Sequence, residues 1–171
     1  MFLANTGGDG QTVQFQSVIA RYSKELPNNK VYFKTGQLTQ VNLSNLSIMG
    51  IYQHLYARLK DPALIYANRS LNLLPDSLRT KITPTSAHES NIYNWLAANA
   101  YSYSFFINRH VGKAQLLQTI GNNLAAYFGP LGIKVSLQER DQMCYVITAP
   151  NSWHPLVASA QQPSIKSLKD G

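Results

Sequence analysis

A single cysteine, Cys144, stands in the whole chain, so no disulfide can close within it and no cysteine-based metal site can form. Acids are nearly as scarce, with eight Asp and Glu against 15 Lys and Arg. Glycoside hydrolysis and acid proteolysis need paired carboxylates, and this sequence has few to pair. Asp61 and Asp76 read as helix caps and Asp141 as a turn residue. Charge of both signs makes up 13% of the chain, half the usual share of about 25%. Asn, Gln, Ser and Thr must then supply much of the polar surface, which suits a subunit that packs against neighbours. No apolar run approaches the roughly 18 residues of a membrane-spanning helix. The first ten residues carry neither a basic n-region nor an apolar stretch, so they do not read as a signal peptide.

Motifs for chemistry are absent too. No Gly-x-Ser-x-Gly elbow is present. His54, His88, His110 and His154 fall at no metal-ligand spacing. Cys144 lies on an apolar strand, where a thiol is usually a small buried hydrophobe. Gly112-Lys113 opens a helix, but the earlier glycine and following hydroxyl of a phosphate loop are missing. The expectation is a chain that is not an enzyme, has no cofactor or metal, and takes no small-molecule substrate.

What is present is a net charge of +7 and a pI near 9.6. At 171 residues the chain suits one domain. We read residues 1–11 as a flexible lead, 12–149 as a globular domain and 150–171 as a Pro/Ser/Gln tail. Val13, Phe15, Ser17 and Ile19 alternate like a strand, yet Phe15, Val18, Ile19 and Tyr22 also fit a helix. Val31–Lys34 reads as a strand, with Leu38, Val41 and Leu43 extended after it. Apolar residues at 3.6 spacing predict a helix from about Asn45 to Lys60, capped by Ser44. Asp61-Pro62 predicts a second helix to about Leu71. Pro75-Asp76 and Thr83-Pro84 bracket a stretch read as irregular. Ser86 and Glu89 have the spacing of a capping box for a helix that buries Trp95 and Leu96. Tyr101, Tyr103 and Phe105 alternate as a strand. Lys113–Phe128 reads as a helix with Leu116, Leu117, Ile120, Leu124 and Tyr127 inward, stopped by Gly129-Pro130. Residues 133–137 and 144–148 read as a hairpin joined by a charged turn. The fold class expected is α+β: about four helices packed on a small, mainly antiparallel sheet, with a C-terminal helix–turn–β-hairpin.

For function, the leading expectation is a non-catalytic assembly subunit of a larger complex, with protein partners, contacting nucleic acid through a basic face. The alternatives are a single-stranded nucleic-acid-binding module and an enzyme whose site is not legible from sequence. The expected location is cytoplasmic or virion- and assembly-associated. Between Ser77 and Gln138 five Lys or Arg face a single acid, Glu89. The anion-binding candidates are therefore Arg79, Lys81, Arg109, His110 and Lys113. Tyr101 and Tyr103 join them, because aromatics on a strand beside cations can stack and neutralise a single strand. The opposing expectation is that these aromatics are core, as large rings mostly are.

Overall fold

The computed structural model describes residues 13–66 and 69–139, with only the backbone of Ser86, Ala87 and Glu89. Among the described residues, those up to Ser136 belong to one compact unit and those from Leu137 to a second. The described residues form four α-helices and one four-stranded antiparallel sheet, an α+β arrangement. The strands are β1 (Phe15–Arg21), β2 (Lys30–Thr35), β3 (Thr39–Leu46) and β4 (Tyr101–Ile107). Their order is β1-β4-β3-β2. The helices are α1 (Ile48–Leu59), α2 (Asp76–Ile82), α3 (Ile92–Asn99) and α4 (Lys113–Phe128). The edge strands of the sheet are β1 and β2.

Register sorts the strand residues into two faces, because directly paired residues share a side and neighbours along a strand alternate. Ser17 pairs with Phe105 and Ile19 with Tyr103. Val41 pairs with Phe105 and Leu43 with Tyr103. Val31 and Phe33 pair with Leu43 and Val41. This face is the apolar one, and α1 and α4 pack on it. Helix α1 contributes Ile48, Ile51, Tyr52, Leu55 and Leu59, and α4 contributes Leu116, Ile120, Leu124 and Phe128, all buried. The steps of three and four residues keep each set on one stripe. In α4 the third step from Leu116 lands on Phe128, which is fully buried, so Tyr127 is exposed instead of inward. A smaller cluster of Trp95, Leu96 and Ala100 packs with Tyr22 and Ile92. Trp95 is 5% exposed, as the helical spacing predicts, and its indole N–H donates to the Thr80 carbonyl at 2.8 Å.

Several element boundaries differ from expectation, each for a local reason. The 12–26 ambiguity resolves as a strand because β1 finds a full ladder on β4. Helix α1 begins at Ile48, not Asn45, because β3 continues through Leu46. Ser47, not Ser44, caps it, accepting from the Gly50 N–H at 2.9 Å. After Asp61-Pro62 the described residues form a 3-10 turn, Pro62–Ile65, in place of the expected α-helix. Beyond it side chains compete for the backbone and its neighbours: Asn72 accepts from the Leu74 N–H, and Gln53 donates to Ser70. The stretch read as irregular is helix α2. Pro75 stands at its N-cap and Asp76 in its first turn, and Thr83 before Pro84 ends it in extended backbone. The box expected of Ser86 and Glu89 is formed one residue earlier. Thr85 N–H donates to His88 Nδ1 at 3.1 Å and His88 N–H to the Thr85 carbonyl at 2.9 Å. Most of the expected hairpin, all of the expected tail and lead, Cys144 and Trp153 lie outside the described residues.

Candidate functional site

The opposite face of the sheet carries Gln16, Val18 and Ala20 from β1 and Ser102, Ser104 and Phe106 from β4. From β3 it carries Gln40, Asn42 and Ser44, and from β2 Lys30, Tyr32 and Lys34. Neither Val18, Phe106 nor Tyr32 packs against either core cluster. Pairing lines these residues into rows. Lys34, Gln40, Phe106 and Gln16 form one row; Tyr32, Asn42, Ser104 and Val18 form the next. Two lysines and two aromatic rings thus stand over a floor of amides and hydroxyls, with no carboxylate among the face's strand residues. Tyr32 is 42% exposed and Phe106 half-buried. The two rings lie two strand spacings apart, about 10 Å across the ladder.

A depression of about 430 Å³ opens on this face. Lys30, Tyr32, Gln40, Asn42, Ser44, Ser104 and Phe106 line it, and Leu26 and Pro27 wall one end. Its size lies in the range of small-ligand pockets, about 300–1,000 Å³. Asn45 holds that wall. It sits where the β3–β4 register shifts, takes a left-handed backbone (φ 49°) and is fully buried. Its side-chain amide donates to the carbonyls of Ser23 (2.8 Å) and Leu26 (2.9 Å) and to Asn28 Oδ1 (3.1 Å). Its oxygen accepts from the Ser23 N–H (3.1 Å) and from Ser102 Oγ (3.3 Å). Ser102 in turn accepts from the Asn45 N–H at 3.0 Å. The β1–β2 loop is thereby fastened across the end of β4.

The residues singled out in the sequence fall in three places. Tyr101 and Tyr103 are core: Tyr103 is 1% exposed, and its hydroxyl lies 3.0 Å from Ser17 Oγ. Asn123 of α4 donates to that same Ser17 oxygen at 3.0 Å. Burial pushes the Tyr103 hydroxyl up from its ordinary value, against hydrogen bonds from Asn123 and Ser17. Tyr101 packs edge-on against Phe128, ring centres 5.1 Å apart. Both rings lie in the core rather than on a surface. The alternation that buries them sets their neighbour Phe106, half-buried, on the other side.

Arg109 and His110 are exposed in the β4–α4 loop, and Lys113 is exposed at the start of α4. Thr39, fully buried, fixes this loop by donating to the Arg109 carbonyl (3.1 Å) and accepting from the Val111 N–H (3.1 Å). Thr39 pairs with Thr35, so Arg109 sits at the same end of the sheet as Lys34. Arg79 and Lys81 lie elsewhere. Leu78 of α2 is 3.8 Å from where a Cβ would sit on Gly132, just past the far end of α4. Helix α4 has 16 residues, so about 24 Å of helix separates that end from Lys113. Arg79 is also engaged locally, 3.2 Å from the Asp76 carboxylate and donating to the Leu74 carbonyl. The structure joins Arg109, His110 and Lys113 but does not bring Arg79 and Lys81 to them. Lys30, Tyr32, Lys34 and Phe106 went unnoticed because no two of the lysines or rings are adjacent in sequence. Period-two spacing of Lys-x-Tyr-x-Lys on β2 was the available signal.

Among the described residues no group of three or more His, Cys, Asp or Glu could hold a metal ion. No described helix is long and apolar enough to cross a membrane. The chain matches no known family profile, curated protein or solved structure.

Proposed function

We propose that the protein is a non-catalytic binding subunit that takes single-stranded nucleic acid on the open face of its sheet. The observation that carries this reading is the face itself: the exposed Tyr32 ring, the half-buried Phe106 ring and two lysines, with no carboxylate among the face's strand residues. Such a surface combines stacking with backbone neutralisation, the two terms by which single strands are held. A packed duplex offers no unstacked base, so the same surface binds it less well.

The test is fluorescence anisotropy with a labelled single strand of about 12 nucleotides, within the span one such module covers. Binding is expected at about 20 mM salt and should fall steeply by about 200 mM. Tyr32→Ala should weaken it by about 5- to 100-fold, the range of one lost base stack. Absence of binding at the lower salt overturns the reading.

A second reading, a subunit held in an assembly by protein contacts, is favoured by the exposure of large apolar side chains. Tyr66, Leu71, Leu73 and Tyr93 are each more than 60% exposed, Leu73 reaching 74%. Large apolar side chains so exposed suit a partner's surface. The two readings are compatible, as in a subunit that packs around nucleic acid, and the assembly reading alone stands if no strand binds.

A further inference from the structure

We infer that the outer edge of β1 is where a second copy of this chain docks, pairing antiparallel with its own β1 so that Val18 meets Val18. This rests on the assembly reading above, naming one surface and one partner for it, and does not use the single-strand reading. The backbone sets the geometry. At one end of β1 the Gln14 carbonyl accepts from the Asn108 N–H, and at the other the Tyr22 N–H donates to the Ala100 carbonyl, both at 3.0 Å. Between them the register runs unbroken from Phe15–Ile107 to Arg21–Tyr101. Hydrogen-bonded pairs alternate along an antiparallel ladder, so the even-numbered residues bond to β4. The odd-numbered ones, Phe15, Ser17, Ile19 and Arg21, then aim their N–H and C=O groups outward. Strand β1 is an edge, and among the described residues no strand takes up those groups.

Edge strands are ordinarily guarded by charge, proline or a bulge. The other edge, β2, carries Lys30 and Lys34, which a self-pair centred on Tyr32 would set against each other. Strand β1 has no proline, no lysine and no bulge, and Arg21 at its end is its one charge. A self-pair centred on Val18 overlaps all seven of its residues. The outward-aimed residues then fall opposite one another, Ser17 against Ile19 and Phe15 against Arg21, with about eight hydrogen bonds, two for each such pair. No like charges meet. Phe15 is 53% exposed, its ring edge-on to Phe105, and the Arg21 guanidinium of the other copy lands beside it. Cation and ring attract there. The helix over this edge is neutral as well. Asn123 of α4 donates to Ser17, which sets that flank of α4 above β1. Gln115, Thr119, Asn122 and Ala126 continue the flank at helical spacing, each exposed or half-buried. No residue of α4 after Lys113 is charged. A charged partner finds only Arg21 to meet it, whereas a second copy brings the same neutral strand and helix flank.

The test is light scattering coupled to size exclusion at about 1 to 100 μM, the range over which a modest interface fills. The mass of the wild-type chain should rise to twice 19.1 kDa. Val18 packs against neither core cluster, so substitutions there should leave the circular dichroism spectrum unchanged. Val18→Lys and Val18→Glu each set like charges opposite one another on the two-fold axis and should weaken self-association by about tenfold or more. An equimolar mixture of the two variants should restore it, because opposite charges then face. Val18→Cys combined with Cys144→Ser gives a readout without added charge. Directly opposed residues that share no hydrogen bonds lie about 4.5 Å apart at Cα, within disulfide reach, so diamide should join two copies there. A single-copy mass at every concentration overturns the inference and leaves the assembly reading to a different partner. A doubled mass that neither charge variant lowers, with no disulfide at position 18, overturns the assignment to β1. Loss of self-association that the mixture does not restore overturns the register centred on Val18.

Discussion

Asn45 sets the geometry of the sheet face from a position that a sequence pattern reads as the start of a helix. Asparagine tolerates the left-handed backbone better than most residues, since its short side chain can bond locally. Here it satisfies two loop carbonyls, a loop N–H and a strand hydroxyl from a fully buried site. Replacing it with Ala leaves several of those groups unpaired and adds backbone strain. Each unmet buried group costs about 1–3 kcal/mol, and part of the loop can reach water, so a total of about 2–4 kcal/mol is expected. For a chain of this length that lowers the melting midpoint by about 5–15 °C. Asn45→Gly keeps the conformation and loses the bonds, so it should fall nearly as far. Thermal denaturation followed by circular dichroism measures both. A midpoint within a degree or two of wild type for Asn45→Ala would remove Asn45 from this role. The position was not legible because nothing local in Ser44-Asn45-Leu46 marks a register shift; the shift exists only once β4 is paired beside β3.

At the scale of elements, the pattern of apolar residues was the reliable guide and the punctuation was not. Helix α4 has the predicted bounds because Leu116, Ile120 and Leu124 repeat at helical steps, although Gly129 stays right-handed and leads into a 3-10 turn that the left-handed Gly132 ends. Strand β4 was legible from Tyr-Ser-Tyr-Ser alternation, but not which side faced the core. Tyr101, Tyr103 and Phe105 went inward because α1 and α4 supply the apolar stripes that cover them. Helix α2 was missed because two prolines were read as breaking a stretch that they in fact delimit. The helix layer also sets a pH limit. Tyr52 of α1 packs near Phe128 of α4, ring centres 6.5 Å apart. Burial, with the neighbouring Tyr56 hydroxyl as a lesser cause, pushes the Tyr52 hydroxyl up to about 12. An unfolded tyrosine titrates near 10. The folded value is the higher one, so the folded state holds this proton longer. Its stabilising contribution is full below about pH 10 and is lost as pH rises toward 12. Melting midpoints measured from pH 9 to 12 should therefore fall less steeply for Tyr52→Phe than for wild type. Superimposable profiles would show that Tyr52 ionises without opposing the fold.

For the molecule as a whole, the +7 charge was visible in composition, but its division between surfaces was not. One group of cations lies on or beside the open sheet face: Lys30 and Lys34 on β2, with Arg109 at the Lys34 end. Another, Arg79 and Lys81 on α2, lies toward the opposite end of α4 from Lys113. Net charge alone would make all of them equal contributors to a polyanion's attraction. Contact makes them unequal, because only a cation that replaces counterions on the strand changes the salt dependence of binding. For single strands the slope of log K against log salt changes by about 0.7 for each phosphate so neutralised. Lys30→Ala with Lys34→Ala should therefore flatten the slope by about 1.4, and adding Arg109→Ala by about 0.7 more. Arg79→Ala with Lys81→Ala removes as much net charge as the first pair and should leave the slope unchanged. All these side chains are exposed, so stability should shift by only tenths of a kcal/mol at each position. Anisotropy titrations at several salt concentrations read the slopes directly. If the α2 pair flattens the slope as much as the β2 pair, the strand is not confined to the sheet face. Binding would then follow total charge, and the rings and amides of the depression would have no part in holding the strand.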